Sequence, residues 1–311
     1  MKKTRFLILL CLAAFLLSAC AQQPPEPLKE ETPIGAEVIE AVPREDAALQ
    51  FTATLYFRHG ETRLLRQETR QITMLPNESR ERALISALLE GSRVAGSRPL
   101  FPEKTEVLST QGQDGVIYVT FNEALYDRYA DEDIALEDSI LRRQLAMAAL
   151  TATLTESGEY RAVQVLVRAE ENVGRSMRLT DRFFWAEDER IVEPLTRRPD
   201  SLPTPAAYAR EMLQAWQNRD QETLTAFAAY SDGSRPQDWL AGMPALLSFA
   251  VYDGTVSPEN DRAIVCADLI LRDSDGMEMH MDACPMVLVR EGGAWKVMLT
   301  QLQAIMGENN E

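Results

Sequence analysis

Long apolar runs, positive charge and recognised catalytic motifs are all scarce in this chain of 311 residues. After the first twenty residues, no stretch is apolar for long enough to span a bilayer. Lys and Arg number 32 against 48 Asp and Glu, and the formal net charge of −16 disfavours nucleic acid as a partner. There is no glycine-rich phosphate loop and no Gly-x-Ser-x-Gly motif. The sequence therefore predicts no cofactor, no metal and no assembled catalytic set.

The first twenty residues are predicted to be an export signal. Basic residues precede an apolar run over residues 6–17, which is too short for a comfortable membrane span. The run ends in Leu-Ser-Ala-Cys, which resembles the bacterial lipobox, where a peptidase cuts before a cysteine whose sulfur is diacylated. We therefore predict a signal peptide over 1–19, lipidation of Cys20 and anchoring to the extracytoplasmic side of the cell membrane. The alternative is an ordinary secretory signal in which Cys20 is incidental.

Composition divides the rest of the chain into a tether, two domains and a linker. Residues 20–48 are rich in Pro and Glu and poor in aromatics, so we predict a disordered tether. Two folded domains are predicted over 49–186 and 205–306, a number that suits the length of the chain. The charged, Pro-bearing stretch 187–204 between them is predicted to be a linker.

The first domain is predicted to be an α+β fold, with two helices on one face of a mixed sheet. Two β-rich runs meet at a turn that contains Gly60, as in a hairpin. A helix, a second hairpin, a long helix over about residues 132–155 and a final strand follow, which gives the order β-β-α-β-β-α-β. On the long helix, Arg142 and Arg143 are predicted to lie off the apolar face.

Six short segments in this domain resemble a known family. LYF, ALISALLEG, LFPEKTEVLS, GVIYVTF, LTATLT and VQVLV fall in the order and spacing of the GerMN sporulation and germination domain, over about 120 residues. The sequence departs from the family pattern at Ser92, in LTATLT, which lacks the usual Asn, and at Arg168-Ala169. The resemblance implies an envelope lipoprotein linked to spore formation and germination, with a scaffold role and no known catalytic residues.

The sequence FRHGETR, at the first turn, resembles the signature of the histidine phosphatases. Such an enzyme needs a second histidine to bind the phosphoryl group, and the other histidine here is His280, in a predicted strand of the second domain. The alternating α/β pattern of that family is also absent. We therefore interpret the motif as a polar hairpin turn.

The second domain is predicted to be α+β as well, with helices first and then a meander of four strands. This order, together with VREGGAWKV, resembles the small cone-like domains of the nuclear-transport-factor type. Such domains sometimes hold a ligand pocket. A deep apolar cavity lined by Trp216 or Trp239 would favour a small-ligand carrier.

Two cysteines of this domain are predicted to face each other. If residues 273–276 form a turn, antiparallel pairing sets Cys266 opposite Cys284, and export favours a cross-strand disulfide. Two alternatives remain open. The two thiols can be free, or they can join Asp268, His280 and Asp282 on one face as zinc ligands.

These patterns favour a non-catalytic binding or scaffold module in the cell envelope, with an envelope protein or cell-wall component as its partner. The second hypothesis is the small-ligand carrier, and the third is a hydrolase of envelope material. Arg63, Arg66 and Arg70 form a local positive stripe on an acidic protein, so we predict this stripe as the place where an acidic partner binds.

Overall fold

The computed structural model describes residues 48–95, 97–130, 135–169, 175–187, 189–229 and 236–308. The predicted signal peptide, the lipidation site Cys20 and all but the last residue of the predicted tether lie outside this part of the chain. Among the helices of the described segments, none has the length and apolar character that a membrane crossing requires.

The first domain contains eight main elements in the order β-β-α-β-β-α-β-β. They are β1 (Leu49–Arg58), β2 (Leu65–Met74), α1 (Arg80–Leu89), β3 (Val107–Gln113), β4 (Val116–Asn122), α2 (Leu136–Leu154), β5 (Ala162–Arg168) and β6 (Met177–Arg178). Two short 3₁₀ helices follow β4 and β6. The predicted α+β class is confirmed.

The strands of this domain form two sheets. β3, β4, β5 and β6 lie in that order in a mixed sheet, in which β4 and β5 are parallel and the other pairs are antiparallel. β1 and β2 pair only with each other within this domain. The N–H of Tyr56 on the outer edge of β1 donates to the hydroxyl of Thr153 on α2, at 3.2 Å, so this helix satisfies one amide of the edge.

Helix α1 begins where the sequence supplies a cap. The Ser79 side chain accepts a hydrogen bond from the Arg82 N–H at 3.1 Å, which satisfies one of the free amides of the first turn. The helix ends before Gly91, whose φ of +87° suits glycine.

The prediction that Arg142 and Arg143 lie off the buried face of α2 is wrong. Arg142 is 0% exposed and stacks over the ring of Tyr129 at 4.6 Å. Arg143 is 3% exposed and donates to the carbonyls of Phe183 at 2.7 Å and Tyr126 at 3.0 Å. Both guanidinium groups remain buried because loop carbonyls, aromatic faces and a carboxylate surround them, which helical periodicity does not report.

The second domain places helices before an antiparallel meander of four strands, as predicted. Its elements are α3 (Pro205–Asn218), α4 (Gln221–Phe227), β7 (Ala228–Ala229), α5 (Pro236–Gly242), β8 (Ala245–Val251), β9 (Thr255–Val256), β10 (Arg262–Arg272), β11 (Glu278–Glu291), β12 (Ala294–Met298) and α6 (Leu299–Glu308). The meander consists of β8, β10, β11 and β12, and the sheet order is β7-β12-β11-β10-β8, with β9 also paired to β10. Helix α3 starts at the N-cap Thr204 and buries Tyr208, Met212 and Trp216 against this sheet.

The predicted linker runs along the first domain. Isolated bridges join Val163 to Leu195 and Thr180 to Ile191, and the Gln164 amide donates to the Val192 carbonyl at 3.3 Å. These contacts bring the chain to the start of α3 beside the β1–β2 hairpin.

Candidate functional site

The FRHGETR motif forms the turn between β1 and β2, so the hairpin prediction is confirmed. Arg58 is 4% exposed, and its guanidinium donates to the carbonyls of Glu61 at 2.7 Å and Thr62 at 2.9 Å. The same group pairs with Asp138 of α2 at 2.9 Å. The first arginine of the motif therefore holds the turn in shape and ties it to its own domain.

His59 of the turn lies against the second domain. Its imidazole is 5.2 Å from the ring of Tyr208 and 5.1 Å from the ring of Phe227, and its Nε2 is 3.3 Å from the carbonyl oxygen of Ala226. Burial lowers the pKa of His59 to about 4, which the hydrogen bond with Ala226 opposes. The ring is therefore neutral at pH 7 and packs as an aromatic side chain.

Backbone contacts continue the junction along β2. The N–H of Leu65 donates to the Ser201 carbonyl at 2.9 Å, and the Tyr208 hydroxyl donates to the Leu65 carbonyl at 2.9 Å. Further along, the Gln67 N–H donates to the Gly293 carbonyl at 3.2 Å. The side chain of Leu64 belongs to the apolar core of the second domain. The tip of the hairpin therefore inserts into that core. The edge of β2 that faces away from β1 forms hydrogen bonds with the second domain.

An open cleft of about 710 Å³ lies beside this junction. Its walls come from β1 and β2, from the segments after α1 and α2, from the loop before β10, and from the end of β11 with the turn that follows it. It is lined by Thr54, Arg66, Gln67, Glu68, Thr69, Arg70, Arg93, Val94, Glu156, Asn260, Arg290, Gly292 and Gly293. The lining is mainly polar and contains four arginines against two glutamates.

The predicted arginine stripe is divided by the fold. Arg66 and Arg70 line the cleft, whereas Arg63 is exposed in the turn and does not. Arg70 is 4% exposed, pairs with Glu68 at 2.6 Å and donates to the Ala87 carbonyl at 3.1 Å. Its guanidinium is therefore largely committed to the fold. The role of these arginines in binding a partner stays a prediction.

Arg66 differs from Arg70 because its charge is not neutralised locally. Arg66 is 9% exposed, and its Nε is buried without a hydrogen-bond partner among the described residues. Neither Arg66 nor the cleft residues Arg93 and Arg290 forms an ion pair with a carboxylate in the described part of the chain. Arg290 donates to the Gln67 side-chain oxygen and stacks over the ring of Trp295 at 5.5 Å.

The two glutamates of the cleft are already paired. Burial works to raise the pKa of Glu68, but hydrogen bonds from Ser92 and Arg70 outweigh it and hold the pKa below its usual range. Glu156 accepts from the guanidinium of Arg197 at 2.6 Å. Arg66, Arg93 and Arg290 therefore line the cleft without a carboxylate partner among the described residues, on a protein of strongly negative net charge.

Comparison with known families identifies the first domain. Residues 54–172 match the Germane family model, described as sporulation and spore germination. This part of the chain is a GerMN-type domain. The match covers less than half of the chain and includes the second half of β1 and all of β2. Comparison with curated proteins finds no significant match.

Solved structures similar to this chain include GerMN domains and an NTF2-like protein. The tandem GerMN domains of the sporulation protein GerM from Bacillus subtilis share 17% identity at a TM-score of 0.30, covering 49% of this chain and 46% of that chain. The first GerMN domain of that protein shares 18% identity at 0.32, covering 47% and 98%. An NTF2-like protein from Cytophaga hutchinsonii shares 20% identity at 0.22, covering 29% and 87%. The chain thus spans less than half the length of the tandem GerMN structure.

The GerMN domain and the second domain both contribute to the cleft. The GerMN domain supplies Arg66, Arg70 and Arg93, and the second domain supplies Arg290. Sequence reasoning missed Arg93 and Arg290. Arg93 lies just after a helix and Arg290 at the end of a strand, and neither carries a motif that could have placed it beside β2.

The prediction that Cys266 lies opposite Cys284 is wrong. The pairs Leu269–Met281 and Arg272–Glu278 fit a turn over 273–276, but a β-bulge then shifts the register, so Cys284 lies opposite Ala267. Ala283 at the bulge has a φ of +50°, and its N–H donates to Asp268 at 2.8 Å.

The bulge separates the two thiols because one extra residue reverses the side-chain alternation of β11. Cys284 is 3% exposed in the core, whereas Cys266 lies on the outer face, where its neighbour along the strand Ile264 is 49% exposed. Both cysteines are free in the structure, which therefore does not support the predicted disulfide. Burial, and then the nearby Cys266, raise the pKa of the Cys284 thiol.

The alternative zinc set does not assemble either. Asp268, His280 and Asp282 remain outside on the sheet, while Cys284 points into the core. Within the described segments, no group of three or more His, Cys, Asp and Glu side chains is placed to hold a metal. The same register shift accounts for both corrections.

The tryptophans expected to line a ligand cavity pack together. The rings of Trp216 and Trp239 meet edge to face at 5.1 Å, and the Trp216 Nε1 donates to the Pro244 carbonyl at 3.0 Å. They are 0% and 5% exposed. These side chains fill the core of the second domain, so they do not support the carrier hypothesis.

Proposed function

We propose that this protein is a lipid-anchored, extracytoplasmic lipoprotein that acts as a non-catalytic binding module in sporulation or germination. Lipidation of Cys20 would attach the chain to the membrane, and the acidic residues 21–47 would separate the folded part from it. The description of the GerMN family supports the cellular role. Its partner is an envelope protein or a cell-wall component.

The docking of the β1–β2 turn onto the second domain carries the proposal. A phosphatase would need an accessible imidazole and a free arginine at this motif. Here His59 is packed between Tyr208 and Phe227, and Arg58 is committed to its own turn. The same contacts support a binding role, because they join two domains into one surface with a cleft at their junction.

Anchoring is tested with Cys20→Ala in the full chain. Cells that express the wild type are expected to retain the protein in the membrane fraction and to incorporate labelled palmitate into it. The Cys20→Ala chain should lose the label and leave the membrane fraction. A Cys266→Ala chain is the matched control, since that residue lies in the folded part and should stay membrane-bound. A Cys20→Ala chain that keeps label and membrane association would contradict the proposal.

The binding role is tested by cross-linking in intact cells. A spore-forming host that carries the tagged full chain is treated with a short cross-linker, and the adducts are identified by mass spectrometry. We expect one stoichiometric envelope adduct and a loss of spore yield or germination when the gene is deleted. Hydrolysis of a phosphomonoester that is lost in His59→Ala would contradict the non-catalytic assignment.

A further inference from the structure

We propose that the cleft between the GerMN domain and the second domain binds an acidic, extended peptide segment of a partner protein. The inference deepens the proposed function and rests on it, since it names the chemistry of the partner and the residues that bind it. It follows from the charge of the cleft, from the position of Arg66 in it and from the outward-facing backbone of Thr69 on β2.

The charge of the cleft indicates an anionic ligand. Arg66, Arg93 and Arg290 line it without an ion pair in the described segments, although the chain as a whole carries a formal charge of −16. Acidic side chains are abundant on this protein, yet the two in the cleft are already paired, Glu68 with Arg70 and Glu156 with Arg197. Three unpaired arginines in one concavity attract carboxylates and bind them with charge-assisted hydrogen bonds.

Arg66 is the strongest single indication. Its side chain is more than nine-tenths buried and its Nε lacks a partner among the described residues. Arg66 lines the cleft, so a carboxylate bound there would meet the positive charge of its guanidinium. Arg66 also lies in the strand whose neighbours Leu65 and Gln67 already bind the second domain.

The strand edge indicates a peptide. The backbone amides of Leu65 and Gln67 point away from β1 and donate to Ser201 and Gly293. The backbone N–H and C=O groups of successive residues point to alternate sides of a strand. The next residue whose backbone points outward on this edge is therefore Thr69, which lines the cleft. A peptide strand can pair with this backbone, as in other cases of strand addition.

The acidic side chains of the cleft argue against a uniformly charged polymer. Glu68 and Glu156 lie in the wall, each bound to an arginine, and a dense polyphosphate would pass close to both. A peptide can place carboxylates at the unpaired arginines and neutral groups beside the glutamates. The cleft volume of about 710 Å³ suits a few residues of such a segment.

The test measures peptide binding to the full chain purified in detergent. The probe is a fluorescent, terminally blocked heptapeptide of alternating Glu and Val, and the neutral counterpart has Gln in place of Glu. We expect the Glu peptide to bind, the Gln peptide to bind at least about tenfold more weakly, and the affinity to fall as salt rises from about 50 to 300 mM.

Variants assign the site within the cleft. Arg93→Gln, at an exposed position that carries little risk to folding, should lower the affinity for the Glu peptide by about fivefold. Arg66→Met should lower it by about tenfold or more. Arg63→Gln, in the same hairpin but outside the cleft, is the control and should change affinity by less than about twofold. Thr69→Pro removes the outward N–H and should lower the affinity for both the Glu and the Gln peptide, whereas Thr69→Val keeps the N–H and should not.

Three results would overturn the inference. One is no binding of the Glu peptide at about 1 mM, which is weak even for a transient contact. Another is equal affinity in Arg93→Gln and the wild type. The third is displacement of the peptide by inorganic tripolyphosphate at lower concentration than by unlabelled peptide, which would assign the cleft to phosphate-bearing ligands. If these occur while an envelope adduct still forms in cells, the proposed function stands and the inference alone fails.

Discussion

The imidazole of His59 lies 5.2 Å from the ring of Tyr208, and this contact joins the turn of one domain to a helix of the other. A histidine in a turn is ordinarily solvated and charges near pH 6.5. Here the second domain surrounds it, and burial keeps it neutral down to about pH 4. The stability of the junction therefore depends on pH.

We predict that acid weakens the fold through His59. The pKa of the ring is about 4 in the folded state and 6.5 in the unfolded chain, so only the unfolded chain binds the proton between these values. The stabilisation is complete above pH 6.5 and is lost as pH falls to 4, by at most about 3 kcal/mol. Urea unfolding of the full chain at pH 7.5 and pH 4.5 measures this loss as a difference in the free energy of unfolding.

His59→Phe and His280→Gln serve as the comparison pair. His59→Phe keeps an aromatic ring in the junction and should lose less stability than the wild type between the two pH values. His280 is exposed on β11, so its variant should follow the wild type. Equal pH dependence in His59→Phe and the wild type would show that this ring does not carry the effect.

We predict that Gly293→Ala separates the two domains. Gly293 has a φ of +81°, and a Cβ there would collide with the Gln67 carbonyl across the junction. Gly292 has a φ of +57° but no atom within 4 Å of such a Cβ. Gly292→Ala should therefore cost only the backbone strain of about 1 kcal/mol, and Gly293→Ala clearly more. Limited proteolysis across residues 187–204, together with thermal unfolding, separates the two variants; equal behaviour would argue against this contact.

We predict that Arg70→Met destabilises the GerMN domain by about 3 kcal/mol. The substitution leaves Glu68 and the carbonyls of Ala87 and Gly91 without the donor that now serves all three. Arg63→Met removes a charge from an exposed position in the same hairpin and should cost less than about 0.5 kcal/mol. Equilibrium urea unfolding at pH 7.5 gives both values. A cost for Arg70→Met no larger than the control would mean that its ion pair and hydrogen bonds add nothing net.

We predict that Cys266 and Cys284 are both free thiols in the protein, with Cys284 slow to react. The bulge at Ala283 places the two side chains on opposite faces of the sheet, and the raised pKa and burial of Cys284 suppress its thiolate. Alkylation without reductant, followed by peptide mass spectrometry, should label Cys266 in the native protein and both after denaturation. A peptide pair joined by a 266–284 disulfide would refute the register seen here.

Local pattern was sufficient wherever neighbours in the chain decide the structure. The first hairpin and the helix that follows it were predicted, because turn residues and side-chain periodicity act over a few positions. The register shift at Ala283 was not predicted, because nothing about an alanine indicates that its backbone adopts the left-handed region. That one position altered the predicted disulfide and the alternative zinc site together.

The sequence by itself determined the α+β class of both domains, the GerMN resemblance and the hairpin turn at FRHGETR. Only the tertiary structure decided what that turn contacts. His59 and Tyr208 are far apart in the chain, and Arg66 shares a cleft with Arg290 from the other domain. The burial and lowered pKa of His59, and the Arg66 Nε that lacks a hydrogen-bond partner among the described residues, depend on what surrounds each side chain, and that is set by packing between distant segments.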